Sequence, residues 1–158
     1  MRKVLFLDCD GVINDKLTCA CVAGFIYADQ DKIDRVADIV KETGAVIVLI
    51  STWRLDWSKE EENLLATLRK DLAKRGVEIY DKTSLIVNLS DLSFRGNRDK
   101  EVRNYLKAHE DIENYVIIDD MYELYYTDEL IEHLVITDEF EGLTEEKKLE
   151  AIEVLKGE

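Results

Sequence analysis

Short apolar runs alternate with amphipathic stretches along the chain, and this alternation predicts its secondary structure. Val4–Leu7 and Ala45–Ile50 are continuous apolar runs, which are typical of strands buried on both faces. Further strands are predicted at 77–80, 115–118 and 133–137. Apolar residues at helical spacing predict helices at 31–42, 59–75 and 99–109, and a last helix that Thr144 caps.

Strands that alternate with helices in this way predict an α/β fold, in which a parallel sheet carries helices on both faces. We expect a Rossmann-like five-stranded sheet in the order 5-4-1-2-3. The 158 residues contain no repeat and no low-complexity linker, so we interpret 1–158 as a single domain. Two stretches do not fit the alternation. In 12–30 a hairpin around Ala23 and Gly24 would form a small flap, and 82–97 is polar and irregular.

Polar residues follow three of the predicted strands at the point where each strand ends. Asp8 and Asp10 follow the first strand, Asp119 and Asp120 follow the fourth, and the sequence STWR at 51–54 follows the second. The carboxyl ends of parallel strands meet at one edge of a sheet, where ligands bind. An acid after a strand often serves only a cap or a turn. Two acidic pairs at the same edge favour a shared functional site instead.

Carboxylates that converge in one crevice need a cation, because their mutual repulsion otherwise keeps some of them protonated. Hard oxygen ligands favour Mg²⁺, which commonly binds one or two carboxylates together with a substrate phosphate. One carboxylate can then attack phosphorus, and the carboxylate two residues later is placed for proton transfer. A hydroxyl from Ser51 and an arginine side chain can hold the phosphate oxygens.

The charge of the chain narrows the ligands that this edge can bind. Asp and Glu number 35 against 21 Lys and Arg, which gives a formal charge of −14. Such a field repels phosphate backbones and anionic membrane surfaces, but it attracts cations. We therefore expect no membrane partner and no extended contact with a nucleic-acid backbone.

The cysteines and the apolar runs bear on location. The chain has three cysteines, at 9, 19 and 21. An odd and small number of cysteines does not form a disulfide framework, so we interpret them as reduced thiols. No signal peptide is visible, and no apolar run approaches the length of a membrane span. A cytoplasmic location is expected.

Four motifs in order resemble those of the haloacid dehalogenase-like phosphohydrolases. LFLDCDGVIN is similar to their first motif, a strand followed by Asp-x-Asp-Gly, VIVLISTWR to the second, and YVIIDD to the fourth. Arg98 in RDKEVRNYL fits the basic third motif, with Arg95 as its rival. More narrowly, STWR, RxxEV, NYVIIDD and ITDEFEGLT resemble the phosphatase-like domain of Swiss-army-knife RNA repair proteins.

This resemblance implies a Mg²⁺-dependent phosphatase that works through an aspartyl-phosphate. Asp8 would be the nucleophile and a metal ligand. Asp10 would be the acid and base and would give its backbone carbonyl to the metal. Asp119 and Asp120 would complete the metal site, and which of the two is the direct ligand stays open.

The resemblance also implies a phosphate-binding set. Ser51 would bind phosphate, with Thr52 as its competitor by one position, and Arg98 would stabilise phosphate charge. Arg54 either contacts substrate or pairs with an acid. Neither interval between motifs holds enough chain for a large cap domain, so we expect an essentially capless enzyme that admits bulky phosphorylated substrates, with nucleic-acid ends and nucleotides among the candidates.

Other interpretations of these residues are weaker. An EF-hand loop needs Asp or Asn at position 12 and Gly at 13, where this chain has Val12 and Ile13. A receiver domain would carry its phosphorylated Asp after the third strand, where we interpret Asp81 as a loop residue. Trp53 and the tyrosines at 122, 125 and 126 are interpreted as packing residues. A non-catalytic module that binds phosphate or metal stays open as the alternative function.

Overall fold

The structure, a computed structural model, describes residues 1–16, 28–87, 97–121 and 125–158. The predicted flap hairpin around Ala23 and Gly24 lies outside these residues. Within them, the strands are β1 (Arg2–Leu7), β2 (Val46–Leu49), β3 (Ile79–Lys82), β4 (Ile112–Asp119) and β5 (Leu134–Ile136). The helices are α1 (Gln30–Thr43), α2 (Leu64–Ala73), α3 (Arg98–Ala108), α4 (Asp128–Ile131) and α5 (Glu145–Lys156), and a 3-10 helix covers Thr52–Asp56.

The strands form one parallel sheet in the order β3-β2-β1-β4-β5. This is the predicted order read from the opposite edge, so the predicted fold class is confirmed. β1 lies at the centre, with Leu7 opposite both Leu49 of β2 and Ile118 of β4. The carboxyl ends of these three strands therefore lie at one level, and the residues that follow them are neighbours.

Both faces of the sheet are covered by helices. One face of β1 presents Leu5 and Leu7 to a core that it shares with α1, α2 and α5, and the other presents Val4 and Phe6 to α3 and α4. All four side chains are fully buried. Burial on both faces explains why the strand sequences are continuous apolar runs instead of alternating patterns. Among the described residues, no helix offers the length and apolar surface that a bilayer-spanning segment needs.

Helix α2 begins five residues later than predicted, at Leu64 in place of Lys59. The reason is a cap at Asn63, whose side-chain oxygen accepts a hydrogen bond from the backbone N–H of Ala66 at 2.8 Å. Such a cap satisfies one of the free donors at a helix start and fixes where the helix begins.

Strand β3 also begins later, at Ile79 in place of Val77. Gly76 has a φ of 73°, and the N–H of Val77 donates to the carbonyl of Leu72 at 3.1 Å, so Val77 completes the end of α2. The strand ends at Lys82, two residues later than predicted. The interpretation of Asp81 as a loop residue is therefore wrong, because Asp81 lies within β3.

Candidate active site

Three carboxylates meet at the carboxyl end of the sheet. Asp8 follows β1, Asp119 ends β4, and Asp120 comes next. One carboxylate oxygen from each lies within 4.8 Å of the other two. The N–H of Asp8 donates to the carbonyl of Ile118 at 3.0 Å, so the pairing of β1 with β4 sets this spacing. We call Asp8, Asp119 and Asp120 the three-acid group.

Gly11 makes room for this group. Its φ is 77°, and a Cβ built on it would lie 2.3 Å from Oδ2 of Asp120. Its backbone is also held from two sides, because its N–H donates to the side chain of Asn14 at 2.9 Å and its carbonyl accepts from the Thr137 hydroxyl at 2.7 Å. Only glycine fits a left-handed residue in such close contact with a carboxylate.

Arg98, the first residue of α3, is the cation at this site. Its Nη1 lies 3.2 Å from Oδ1 of Asp8 and 3.0 Å from Oδ2 of Asp119. The structure therefore places the predicted third-motif residue beside the three-acid group. Its rival Arg95 lies outside the described residues.

Tyr126 is a site residue that the sequence did not reveal. Its hydroxyl donates to Oδ2 of Asp119, the same oxygen that Arg98 contacts. The N–H of Met121 donates to the other oxygen at 3.1 Å. Both oxygens of Asp119 are thus fixed, and Tyr126 is more than the packing residue we predicted. The only signal in the sequence was its position seven residues after Asp119.

The acids differ in how readily they ionise. Burial, followed by the charge of Asp119, raises the pKa of Asp8 well above its ordinary value, although Arg98 works against the rise. The same two causes raise the pKa of Asp120 to about 6. Burial also raises the pKa of Asp119, but Arg98 and the hydrogen bond from Tyr126 outweigh it and leave that pKa below its ordinary value. Ionising all three acids at once costs free energy unless a further cation is near.

A divalent cation fits these residues. Three ionised carboxylates beside the single guanidinium of Arg98 leave two negative charges, which one divalent ion would balance. The donors are all carboxylate oxygens, which Mg²⁺ and similar hard cations prefer. The spacing of the three oxygens, within 4.8 Å of one another, allows one ion to reach all of them.

Asp10 lies apart from the three-acid group. Its carboxylate is exposed and accepts hydrogen bonds from Nδ2 of Asn14 at 3.1 Å and from the indole N–H of Trp53 at 3.3 Å. Trp53 is buried, as predicted, and it also orients this acid. A carboxylate held at the edge of the site and open to solvent suits an acid and base. That role, and the metal contact through its carbonyl, stay predictions.

Ser51 and Thr52 follow β2 at the same level. The N–H of Ile50 donates to the carbonyl of Leu7 at 3.0 Å, which places Ser51 beside the end of β1. Ser51 is buried, and its hydroxyl caps the 3-10 helix by accepting from the N–H of Trp53 at 3.2 Å. Thr52 is half-buried as the first residue of that helix. The choice of Ser51 over Thr52 as phosphate ligand stays a prediction.

Arg54 points into the protein. It is buried and forms an ion pair with Glu101 of α3. Its Nη1 donates to the carbonyl of Ile50 and, at 3.0 Å, to the hydroxyl of Thr83. The structure therefore pairs Arg54 with an acid. Its Nε has no hydrogen-bond partner, which holds for no other buried side-chain nitrogen or oxygen among the described residues. Its predicted contact with substrate stays a prediction.

Two cavities adjoin the site, and Asp120 lines both. One, of about 300 Å³, is also lined by Asp10, Gly11, Asn14 and Lys16. The other, of about 800 Å³, runs along the segment 136–147. Asp120 therefore connects the three-acid group to both cavities, which leave room beside it for the rest of a substrate.

The chain matches, over residues 4–148, the family described as the HAD domain in Swiss Army Knife RNA repair proteins. HAD abbreviates haloacid dehalogenase. Comparison with curated proteins and with solved structures gives no significant match. The match covers every motif described above, including the strand ends at Asp8, Ser51 and Asp119 and the start of α3.

Proposed function

The chain belongs to the family of HAD domains in Swiss Army Knife RNA repair proteins, and from this premise we propose that it hydrolyses phosphate monoesters with Mg²⁺. Membership of the HAD family suggests phosphohydrolase chemistry in general. The observation that supports the finer proposal is the three-acid group with Arg98 in contact with two of its members. A nucleophile, a cation site and a phosphate-binding cation would then lie at one sheet edge.

In the proposed reaction, a carboxylate oxygen of Asp8 attacks phosphorus. The bond from phosphorus to the ester oxygen breaks, and the electron pair leaves with that oxygen. Asp10 gives this oxygen a proton, so the alcohol departs and an aspartyl-phosphate stays on Asp8. Asp10 then takes a proton from water, the water oxygen attacks phosphorus, and the bond to Asp8 breaks to release inorganic phosphate.

The surrounding residues bind and orient the phosphate. Arg98 would meet the charge on the phosphate oxygens, and the Ser51 hydroxyl, which accepts from the N–H of Trp53, would donate its proton to a phosphate oxygen. Asp8, Asp119 and Asp120 would hold Mg²⁺. When bound, the ion would supply positive charge that lowers the repulsion between Asp8 and the incoming phosphate.

Asp8→Asn tests this proposal. With an aryl phosphate and Mg²⁺, we expect the variant to lose turnover by at least about 10³-fold, because the amide is not a nucleophile. Its circular dichroism should match that of the wild type. Asp38→Asn, which makes the same chemical change at an exposed ion pair on α1, is the matched control and should stay active. Normal turnover by Asp8→Asn would contradict the proposal, and a wild type that binds phosphate but hydrolyses nothing would favour the non-catalytic alternative.

We further propose that the substrate is a phosphorylated nucleic-acid end, contacted at its terminal phosphate. The description of the family supports an RNA substrate, whereas the formal charge of −14 opposes contact along a backbone. Each neutralised phosphate adds about 0.7 to the salt slope of single-strand binding, so a short contact predicts a slope of about one to three. The measurement is affinity of Asp8→Asn for oligonucleotides with and without a terminal phosphate, across a salt series. Tight binding that ignores the terminal phosphate would contradict this choice of substrate.

A further inference from the structure

A buried ion pair links two parts of the proposed phosphate site. Arg54 belongs to the 3-10 helix that Ser51 caps, and Glu101 lies one turn after Arg98 on α3. The two side chains are 3% and 1% exposed and form an ion pair. The Arg54–Glu101 pair therefore joins two elements of the site. One is the turn with Ser51, whose hydroxyl is predicted to bind phosphate, and the other is the helix with Arg98, whose guanidinium is predicted to bind it too.

The contacts of this pair extend to the backbone on both sides. Arg54 also bonds the carbonyl of Ile50, at the end of β2, so it holds its own turn against the sheet. The second oxygen of Glu101 accepts from the N–H of Ile86 at 3.1 Å. The carbonyl of Ile86 accepts from Nδ2 of Asn97, which immediately precedes Arg98, at 3.0 Å. The start of α3 is thus fixed to residue 86 by two bonds and to the 51–56 turn by the ion pair.

Both oxygens of Glu101 accept hydrogen bonds within the protein, so the orientation of this acid is fixed. Stability alone explains such a pair poorly, because apolar residues of similar volume in place of a buried ion pair are often equally stabilising. What a charged, forked pair provides in addition is a fixed geometry, since the guanidinium bonds several oxygens at defined angles.

We infer that Glu101 is a positioning residue for the proposed phosphatase. Through Arg54 it sets the spacing between Ser51 and Arg98, which are two of the predicted phosphate ligands. The inference rests on the proposed function. A displacement of about 1 Å between groups that bind a reacting phosphate costs on the order of 10²-fold in rate. Loss of the pair should therefore lower catalysis even where the protein stays as stable as before.

The test compares a single variant with a double variant. Glu101→Gln leaves the charge of Arg54 buried without its partner, so its melting temperature should fall. Arg54→Met combined with Glu101→Leu replaces the whole pair by apolar side chains and should regain the stability. We expect the double variant to keep a kcat/KM for an aryl phosphate about 10–100-fold below wild type. Inorganic phosphate should also inhibit it more weakly, which a role in stability alone would not produce.

Two further variants keep the test decisive. Arg54→Lys preserves the charge but not the fork, so it should fold and still show a lower kcat/KM. Arg103→Gln removes an ion pair with Asp99 on the same helix and should leave both kinetic readouts unchanged. Wild-type kcat/KM in Arg54→Lys, or recovery of activity together with stability in the double variant, would overturn the inference.

The outcome can be separated from that of the proposed function. If the wild type hydrolyses no phosphate ester, the proposed function fails, and the pair is judged by binding of inorganic phosphate in the presence of Mg²⁺. Equal binding by the wild type and the double variant would then overturn the inference. Weaker binding by the double variant would support a positioning role in a phosphate-binding module.

Discussion

Two groups of buried charges each include a residue from the first turn of α3, and they are balanced differently. The Arg54–Glu101 pair sets one positive charge against one negative charge, and both carboxylate oxygens are bonded within the protein. In the part of the chain that the structure describes, the three-acid group sets three carboxylates against Arg98 as their ion-pair partner. The charges of the first group balance within the protein, although Nε of Arg54 has no hydrogen-bond partner, whereas an external cation would balance the charges of the second.

The difference teaches that burial of charge does not by itself indicate function. A balanced pair can hold elements together, and its ionisation needs nothing from outside. In the unbalanced group, burial and then the charge of Asp119 raise the pKa of Asp8 and of Asp120. Such perturbed groups in a reachable crevice are the ones that indicate ligand binding or catalysis.

Of the effects that bear on this comparison, the largest is expected from removing Arg98, the cation of the unbalanced group. Arg98→Met should lower kcat/KM for an aryl phosphate by about 10²–10³-fold, since a preorganised charge on the phosphate is lost. In EDTA at pH 8, urea unfolding should also show a loss of about 3–5 kcal/mol, because Asp8 and Asp119 lose the opposite charge that offsets their burial. Arg98→Lys, which keeps the charge, is the control for the stability effect. Full stability of Arg98→Met at pH 8 would show that the group is less unbalanced than the structure indicates.

A smaller effect is expected where a methyl group would disturb the unbalanced group. Gly11→Ala would strain a backbone with a φ of 77° and would bring the new Cβ against Asp120. Gly44 has a similar φ of 71°, but the Cβ that Gly44→Ala adds would have no heavy atom within 4 Å. Both should lose roughly 1 kcal/mol from the backbone. Only Gly11→Ala should need about 10–100-fold more Mg²⁺ for half-maximal activity, as disturbed metal-site neighbours do. An equal Mg²⁺ dependence of activity in both variants would show that Gly11 does not influence the metal site.

The smallest expected effect is the pH dependence of stability that the unbalanced group causes. The raised pKa values of Asp8 and Asp120 mean that the folded protein binds protons more tightly than the unfolded chain. Their contribution to stability is therefore most favourable below the unfolded value of 3.8 and falls as pH rises, for Asp120 through about 6. Mg²⁺ should reverse this loss, so it should raise the melting temperature by several degrees at pH 8 and hardly at pH 5, at about 2–4 °C for each kcal/mol.

A series of melting curves on the wild type and one variant tests whether Asp120 contributes to this pH dependence. Melting curves with and without Mg²⁺ at pH 5, 6, 7 and 8 should be compared between the wild type and Asp120→Asn. The variant should show a smaller change with pH, because one of the titrating acids is gone. A Mg²⁺ shift of the same size at pH 5 and pH 8 in the wild type would argue against cation binding by ionised acids.

The sequence predicted the sheet because apolar runs such as Val4–Leu7 identify strands buried on both faces. The sheet order then brought Asp8 and Asp119 to one edge, and the three-acid group has this placement. The boundaries that differed depended on single hydrogen bonds. Asn63 starts α2 and Val77 delays β3, and neither effect leaves a periodic pattern.

The pattern of apolar and polar residues in the sequence did not identify the partners of the charged side chains. Arg54 and Glu101 are 47 residues apart, and their pairing depends on how the 3-10 helix and α3 meet. The hydrogen bond from Tyr126 to Asp119, seven residues earlier, likewise depends on the tertiary structure. Periodicity shows which side chains are buried, but it does not show which polar atoms will meet. The roles predicted for Ser51 and Asp10 therefore depend on the experiments above.

The hydrogen bond from Trp53 to Asp10 has an optical consequence. Indole emission responds to what the ring nitrogen bonds and to the charge beside it, so Trp53 reports on Asp10 without any added label. The other tryptophan, Trp57, stacks under the guanidinium of Arg69 at 4.5 Å from its ring centre and supplies a second signal that Trp57→Phe would remove. A titration of Trp57→Phe with phosphate or Mg²⁺ would therefore follow changes around Asp10 directly, through the emission of Trp53.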